Sequence, residues 1–509
     1  MSTTTATTTI PEGNVGNLTT QQEAKLRQFW GTIFKLYDLY ESKDPEVQAA
    51  LKNCATQANA PVQKSRFGLF GGGKKASAED TNAIALVEKQ LGLGAADEND
   101  KFGLRKQFME MLSKHSAESA RAMILEAVKH DHPDALALRF LRARKWEVDK
   151  GIIMMFSAMD WRTSKSKVDS DIMYNGEAGG ARDEKSSDPN TKVLAHDFMR
   201  QLRMGKGFLH GTDKEGRPIS YVRARLHKPF DGKNESLERF IVYNIETGRM
   251  VLNPPIETAC LVFDLSGFTL ANLDYVPIKY IIQSFEANYP ESLGVILVHN
   301  APWVFKSVWK IIHGWLDPVV ASKVHFTNGR DGADGITNHI APDRLIKELG
   351  GDLDWEYKYV EPVEGENDIM KDTATRDRLQ AERQEIANRF EAATRKWVEA
   401  STPEINAERA SLAKELCVNY WKLDPYIRAR SLYDRNGNMR GGKKVAWYED
   451  EKAAAAAEDK AADNATVKSE ETFVDAGTDG ELAATAKAVD ALNIDEKTPL
   501  PTTTNAVAA

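Results

Sequence analysis

The 509-residue chain is poor in cysteine, and its three cysteines (Cys54, Cys260 and Cys417) are widely separated. They form no CxxC pair, so the sequence predicts neither a disulfide framework nor a cysteine zinc site, as is typical of a reducing, cytosolic compartment. The chain also lacks an apolar run of about eighteen residues, so we expect no membrane-spanning helix. Its first residues, MSTTTATTTIPEGN, have neither the basic region nor the apolar core of a signal peptide. The sequence therefore predicts a cytoplasmic protein whose membrane contact is at most peripheral.

Excess positive charge is missing as well, since the formal net charge is −8. Residues 449–496 hold fourteen acidic residues and four lysines, a local net of −10, which leaves about +2 for the remainder. A nearly neutral remainder without a lysine- and arginine-rich stretch is not typical of a nucleic-acid-binding protein. The composition of 441–509, with almost no aromatic residues, predicts a disordered acidic tail, and the Thr-rich stretch 1–18 is also predicted to be disordered.

Catalytic motifs are absent: the sequence has no G-x-S-x-G, no H-E-x-x-H and no G-x-G-x-x-G after a strand. Residues 68–74 fit G-x-x-x-x-G-K, but Lys75 replaces the Ser or Thr that would hold magnesium, and no strand precedes them. Asp264, at the end of ACLVFD, is either a ligand group at a strand's carboxyl edge or a cap of the following turn. We therefore predict no enzyme activity, no metal and no cofactor.

Hydrophobic periodicity predicts helices in the first third of the chain. The spacing of apolar residues over 22–40 indicates an amphipathic helix, and packing against the main body is favoured over a membrane-surface position. We place this accessory helix in 19–60, a linker in 61–98 and a bundle of four short helices in 99–165.

From residue 208 the pattern changes to strands alternating with helices. PISYVRA, ACLVFDL, GVILVHN and KVHFT have the length and composition of strands, and helical segments separate them. Such alternation predicts an α/β fold with a mostly parallel sheet covered by helices, here over 190–353. Two long helices, 372–397 and 405–421, are predicted within a C-terminal extension over 370–440.

The segment 301–316, APWVFKSVWKIIHGWL, has more apolar surface than one interface needs. It is either a central helix buried on two sides or a helix whose second surface meets a ligand or a membrane, and Lys306 and Lys310 favour the latter. Basic residues stand at the ends of predicted elements: Arg144 and Lys145 follow a helix of the bundle, and Lys323 opens the strand next to the apolar segment. They would suit an amphiphile with a phosphate head, although Arg144 and Lys145 also suit a helix C-terminus through its dipole.

FLRARKW, DLSGFT, NYPESLG, NAPWVF, WLDPVVASK and a closing LGG follow one another in this chain. Their order resembles the CRAL-TRIO lipid-binding family over about 100–353. With ELCVNYWKLDPYIRARSLYDRNG the resemblance extends over about 20–440, to the fungal non-classical phosphatidylinositol transfer proteins related to a yeast chitin-synthase suppressor. It implies an N-terminal helical bundle and a lipid-binding domain whose sheet is the floor of a pocket closed by a gate helix.

The resemblance also implies roles for single residues. The inositol phosphate head would be held by Arg144, Lys145, Glu291 and Lys323, and the hinges of the gate would be Gly294 and Gly351. The gate helix maps onto 302–315, with Trp303, Val304, Phe305, Val308, Trp309, Ile312 and Trp315.

Two departures from the family pattern refine the expected cargo. Ala259 and Leu261 stand where members that carry phosphatidylcholine have Ser and Thr, so we predict phosphatidylinositol without phosphatidylcholine. Val320 replaces a threonine near the head-group lysine, which leaves open a neutral isoprenoid or sterol such as squalene.

The expected protein is a monomer that exchanges phosphatidylinositol as its ligand at the surface of intracellular membranes, whether endoplasmic reticulum, endosome or lipid droplet. A second alternative is a lipid-sensing interaction protein that recruits a protein partner through the C-terminal helices or the acidic tail.

Overall fold

The computed structural model describes residues 9–58, 78–95, 100–229, 231–442 and 444–453. The chain up to Val445 forms one compact unit, and the second unit begins at Ala446, of which 446–453 are described. In that second unit the Trp447 N–H donates to Glu451 over 2.8 Å. The acidic tail predicted over 441–509 therefore lies mostly outside the described residues, as do residues 1–8 and the G-x-x-x-x-G-K segment.

Seven helices precede the sheet region in the described residues of the first third. The helix predicted over 22–40 and the four predicted over 99–165 are confirmed, and a capping box at Thr19 and a first-turn Pro133 mark two of the starts. The linker predicted over 61–98 is wrong in part, because it contains a helix that buries Val87 and Leu91 at helical spacing. The helices are α1 Thr20–Glu41, α2 Pro45–Ala58, α3 Ala78–Leu91, α4 Leu104–Lys114, α5 Ala117–Val128, α6 Pro133–Ala143 and α7 Val148–Asp160.

The prediction of disorder over 1–18 is also wrong for its described part. Asn14 pairs with Asn17 in a tight turn, and the Arg142 guanidinium donates to the Gly13 carbonyl over 2.7 Å. These bonds satisfy backbone groups of a polar segment that has little apolar surface to bury.

A second helical layer follows α7 and was not predicted. Two π-helical turns, Trp161–Lys165 and Val168–Met173, lead into α8 (Tyr174–Asp183) and α9 (Pro189–Arg203). The glycines of α8 lower its helix propensity and hide it from sequence reasoning. One of them, Gly180, allows close packing, because a Cβ there would lie 2.7 Å from the Met199 sulfur.

The sheet has five strands in the order β1-β2-β3-β4-β5, with β1 antiparallel to β2 and the remaining pairs parallel. The four predicted strands are confirmed, and β1 adds an antiparallel edge. Continuous apolar runs such as that of β4 are typical of strands covered on both faces. The elements are β1 Gly207–Thr212, β2 Pro218–Arg223, α10 Asn234–Met250, β3 Ala259–Asp264, α11 Tyr275–Gln283, β4 Leu293–His299, α12 Phe305–His313, α13 Pro318–Ser322 and β5 Val324–Thr327.

Buried charges join the second helical layer to α10. The Arg162 guanidinium donates to both Glu246 oxygens, at 2.6 and 2.9 Å, and to both Asp169 oxygens at the same two distances. Lys129 lies 3.1 Å from Glu246. Burial alone would raise the pKa of the Glu246 carboxyl, but Arg162 and Lys129 outweigh it and hold that pKa well below its usual range.

The C-terminal extension forms α14 (Thr373–Glu399), α15 (Pro403–Ile427) and α16 (Leu432–Arg435). The two predicted long helices are confirmed, and Arg409 of α15 donates to Asp134 of α6 over 2.7 Å. The Leu209 N–H of edge strand β1 donates to the Tyr433 hydroxyl over 2.7 Å, which satisfies a backbone group at the sheet edge. Within the described ranges, no helix has the length and apolar content needed to cross a membrane.

Candidate ligand-binding site

An apolar cavity of about 290 Å³ lies between the sheet and helices α10, α11 and α12. On β4, Ile296 and Val298 line the cavity, whereas Val295 and Leu297 pack into the core on the opposite face of the sheet. This alternation follows from the two-residue period of a strand. The expectation that the sheet is the floor of a pocket is confirmed. Other strand residues that line the cavity include Gly207, Leu209, Pro218, Ser220, Val222, Ala259, Leu261, Phe263, Leu293 and Val324.

Helix α12 closes one side of this cavity. Phe305, Trp309 and Ile312 lie on its inner face, because spacings of four and three residues bring side chains to the same side of a helix. Phe305 packs edge to face on Phe268, with ring centroids 5.9 Å apart. The helix is shorter than the predicted 301–316, since Pro302 precedes it and Gly314 follows it.

The outer side of the α12 segment faces solvent. Trp303, which lies before the helix rather than in it, is 85% exposed, and Ile311 is 46% exposed. Lys306 and Lys310 are exposed beside them. The alternative of a helix buried on two sides is therefore wrong.

The remaining gate residues lie at the ends or on the inner side of α12. Val308 is buried, Val304 is half-buried at the N-cap, and the Trp315 ring meets Tyr275 at 5.3 Å. Lys279 lies 4.8 Å from the Trp315 ring centroid. The predicted gate residues thus lie on one short helix or next to its ends, and this segment has an inner and an outer apolar surface.

A second, polar cavity of about 650 Å³ lies beside the first, and we call it the polar cleft. All four predicted head-group residues line it: Arg144 and Lys145 after α6, Glu291 before β4, and Lys323 before β5. The Lys323 ammonium lies 3.6 Å from a Glu291 carboxylate oxygen. The cleft is lined by seven lysines and arginines and six acidic residues, so it offers cations and hydrogen-bond acceptors together.

Two of these residues have a left-handed backbone, which is unusual for side chains other than glycine. Lys145 has φ 52° and Glu291 has φ 55°. Lys145 ends α6 in a Schellman motif, in which its N–H donates to Arg142 and the Trp146 N–H donates to Leu141. Strained backbone of this kind persists where neighbouring contacts hold it, as at binding sites.

Arg139 supplies such a contact for Glu291. Its guanidinium donates to the Glu291 carbonyl over 3.2 Å and to the Glu257 carbonyl over 2.9 Å. Arg139 was missed in the sequence, because nothing in RFLRAR distinguishes the arginine that holds a loop from those that line the cleft.

The polar cleft and the apolar cavity share five lining residues. Of these, Val320 stands at the position where the family pattern has a threonine, so the junction has no hydroxyl there. The shared residues are Phe285, Ser292, Leu293, Leu316 and Val320. A polar site thus joins an apolar one directly, which is the arrangement that an amphiphile needs.

The C-terminal end of the α12 segment is held by Lys101, which lies just before α4, and by Glu286, which lies in the turn after α11. The Lys101 ammonium lies 2.7 Å from Glu286 and also donates to the Trp315 carbonyl. The Asp317 N–H donates to the other Glu286 oxygen over 2.7 Å. Neither Lys101 nor Glu286 was predicted, because their pairing joins residues far apart in the sequence.

The two predicted hinge glycines lie in closely packed positions. Gly294 is the extra residue at a register shift between β3 and β4, and a Cβ there would lie 2.6 Å from Arg217. A Cβ on Gly351 would lie 1.8 Å from the Leu345 carbonyl oxygen. Both sites require glycine for close approach, and a hinge role for them stays a prediction.

Asp264 caps a turn, as one of its two interpretations proposed. Its carboxylate accepts from the Ser266 N–H over 2.9 Å and from Arg225 over 2.6 Å. No group of three or more His, Cys, Asp or Glu residues within the described ranges is placed to hold a metal ion.

Residues 202–351 match the CRAL/TRIO domain, and residues 105–156 match the CRAL/TRIO, N-terminal domain. A CRAL-TRIO domain-containing protein of Schizosaccharomyces pombe is 39% identical over 437 residues, which cover 84% of this chain and 93% of that protein. The phosphatidylinositol transfer protein CSR1 of Eremothecium gossypii is 36% identical over 452 residues, which cover 85% of this chain and 100% of that protein. The Sec14 cytosolic factor of Schizosaccharomyces pombe is 29% identical over 239 residues, which cover 43% of this chain and 74% of that protein.

Proposed function

The chain belongs to the CRAL/TRIO family, and we propose that it binds phosphatidylinositol and carries it between membranes without making or breaking a bond. The observation that carries this proposal is the direct junction between the polar cleft and the apolar cavity beneath α12. The head group lies in the cleft and the acyl chains lie on the sheet, where each buried CH₂ contributes about 0.8 kcal/mol.

The balance of charges in the cleft favours an inositol phosphate head. Its phosphate pairs with Lys323, Arg144 and Lys145 through charge-assisted hydrogen bonds. Its hydroxyls donate to carboxylates such as that of Glu291. These carboxylates would repel a ligand that carried only negative charge and no donors. A choline head can meet these carboxylates only through its positive charge, because its quaternary ammonium has no N–H to donate.

A second feature, which lies in the floor of the cavity, also argues against phosphatidylcholine as a cargo. Ala259 and Leu261 line the cavity with methyl and isobutyl groups, where a choline-phosphate head would need hydroxyl donors. A buried phosphate without donors carries a desolvation cost of several kcal/mol.

Lipid exchange requires α12 to move, since it covers the cavity. Its outer surface suits contact with a membrane, because exposed Trp303 and Ile311 lie beside Lys306 and Lys310. We therefore propose that the protein is a monomer which meets intracellular membranes peripherally on this side, and that the lipid leaves and enters there.

A neutral isoprenoid or sterol is the second candidate cargo. The apolar junction residue Val320 and the mostly apolar lining of the cavity favour it. Such a ligand would leave Glu291 and Lys323 without a role, which separates the two candidates by experiment.

The test is transfer of labelled phosphatidylinositol between vesicles by the variant carrying Glu291→Ala and Lys323→Ala. We expect transfer to fall at least tenfold while the thermal unfolding midpoint stays within a few degrees. The matched control is Arg378→Ala with Glu382→Ala, which removes an exposed ion pair of 3.9 Å on α14. Transfer equal to that of the control would mean that the head group does not bind in the polar cleft.

A further inference from the structure

The apolar cavity has a second polar end, which the proposed function leaves unused. Lys206, His227 and Asp274 all line the cavity there. Lys206 directly precedes β1, whose Gly207 pairs with Val222 near the carboxyl end of β2. The polar cleft lies at the opposite edge of the sheet, where β4 and β5 begin. Seven residues of β4 at about 3.3 Å each separate the two ends by roughly 20 Å.

The three side chains form a hydrogen-bonded row. The Lys206 ammonium lies 3.2 Å from His227 Nδ1, and His227 Nε2 lies 3.2 Å from an Asp274 carboxylate oxygen. Burial and the charge of Lys206 lower the pKa of His227, so the ring is neutral: Nδ1 accepts from Lys206 and Nε2–H donates to Asp274. Asp274 also caps α11 by accepting from the Val276 N–H over 2.9 Å.

Lys206 is a buried cation without an acidic partner in contact. It is only 7% exposed, and among the described residues no carboxylate lies within ion-pair distance of its ammonium. The nearby Asp231 is engaged with Arg200 at 2.7 Å. Burial and Arg200 lower the pKa of Lys206 to about 8, so the side chain is still mostly protonated at pH 7. Buried charges in proteins are normally paired, and this one faces an apolar cavity.

The other cations at the cavity wall already have partners. Arg223 donates to Glu348 over 2.9 Å, and Arg249 lies 3.3 Å from Glu246. Lys206 thus offers one positive charge with no acid in direct contact, which matches a single negative charge, and its apolar surroundings match a hydrocarbon chain.

We propose that Lys206 binds the carboxylate of a long-chain carboxylic acid whose hydrocarbon chain lies along the floor of the apolar cavity. This is a second cargo of the protein, bound at the end opposite the polar cleft, and it does not depend on the identity of the lipid head group. The His227 ring orients the lysine, and the ligand supplies the acidic partner that the chain lacks.

The experiment compares hexadecanoate with hexadecanol, which share a chain and differ in charge, by displacement of a fluorescent probe from the full-length protein. We expect the carboxylate to bind at least tenfold more tightly than the alcohol. Lys206→Met should remove this preference. Lys192→Met, which removes an exposed lysine of α9, should keep it.

Lys206→Met should fold, because an apolar side chain there replaces a buried charge that has no acid in contact, which removes a desolvation cost. Lys206→Gln serves as a second uncharged variant and should lose the preference too. Equal binding of acid and alcohol by the wild type, or an unchanged preference in both Lys206 variants, would overturn the proposal. Loss of the preference in the Glu291→Ala, Lys323→Ala variant would also overturn it, by assigning the carboxylate to the polar cleft.

Discussion

Substituting Lys101 with methionine should speed lipid exchange, because Lys101 holds the end of the α12 segment against the N-terminal helical bundle. Its ammonium bridges Glu286 at 2.7 Å and the Trp315 carbonyl, and Glu286 accepts in turn from the Asp317 N–H. Two of these bonds, from Lys101 to the Trp315 carbonyl and from the Asp317 N–H to Glu286, join the α12 segment to residues outside it, so we expect both to break when α12 opens. Weakening them should raise the free energy of the closed state relative to that of the open state.

The size of the effect follows from the exposure of the two side chains. Glu286 is 7% exposed but Lys101 is 45% exposed, so solvent screens the pair and its contribution falls in the range of about 0.2–1 kcal/mol. A change of about 1 kcal/mol multiplies the ratio of open to closed protein by about five. Where opening limits the rate of exchange, the initial rate of transfer should rise by up to about fivefold.

The assay is transfer of a fluorescent phosphatidylinositol from quenched donor vesicles, with Lys101→Met and Glu286→Ala measured separately. Both residues line the polar cleft and have opposite charges, so an effect through cleft electrostatics would move the two variants in opposite directions. Release of the gate predicts that both become faster. Lys106→Met is the control, since its ion pair with Glu110 on α4 is exposed and 4.0 Å long. Rates equal to the control, or opposite shifts of the two variants, would refute this reasoning.

Other substitutions test separate parts of the structure. Glu246→Gln should lower the free energy of unfolding at pH 7 by about 3–5 kcal/mol, because it leaves Arg162 with less compensation in a buried site. Because its pKa is lowered by folding, ionised Glu246 stabilises the folded state above a pH of about 4.3, and this contribution is lost as the pH falls and the carboxyl is protonated. The stability of the Glu246→Gln variant should therefore change less with pH in acid denaturation. Trp303→Ser should weaken binding to vesicles about tenfold or more in sedimentation, because an exposed tryptophan can bury in the membrane interface. Ala259→Ser with Leu261→Thr should confer transfer of phosphatidylcholine, because it returns two hydroxyl groups to the cavity floor.

Each of these outcomes has a clear opposite. If Glu246→Gln has the same free energy of unfolding as the wild type at every pH, the other buried charges compensate one another without the Glu246 carboxylate. Full vesicle binding by Trp303→Ser would remove the outer surface of α12 from the membrane contact, and continued absence of phosphatidylcholine transfer would mean that the floor hydroxyls do not decide the cargo.

The sheet and the long helices could be predicted because each has a regular period. Apolar runs bounded by turn residues marked β2, β3, β4 and β5, and spacings of three and four marked α14 and α15. The extent of α12 was overestimated, since the apolar composition of 301–316 continues past the residues at which Pro302 and Gly314 limit the helix.

What escaped prediction depends on packing between distant parts of the chain. Gly180 allows α8 to pack closely on Met199 of α9, although the glycines of α8 argue against a helix in isolation. The bonds of Lys101 and Arg139 join residues more than a hundred positions apart, so no local pattern signals them. Lys206 showed no sequence signal either, because only the fold reveals that its side chain lies buried beside the cavity.

The most direct test of the proposed function is native mass spectrometry of the full-length protein purified from its host. We predict one bound phosphatidylinositol in the wild type and none in the variant with Glu291→Ala and Lys323→Ala. A neutral hydrocarbon or sterol bound equally by both proteins would contradict it, because the polar cleft would then have no part in holding the cargo.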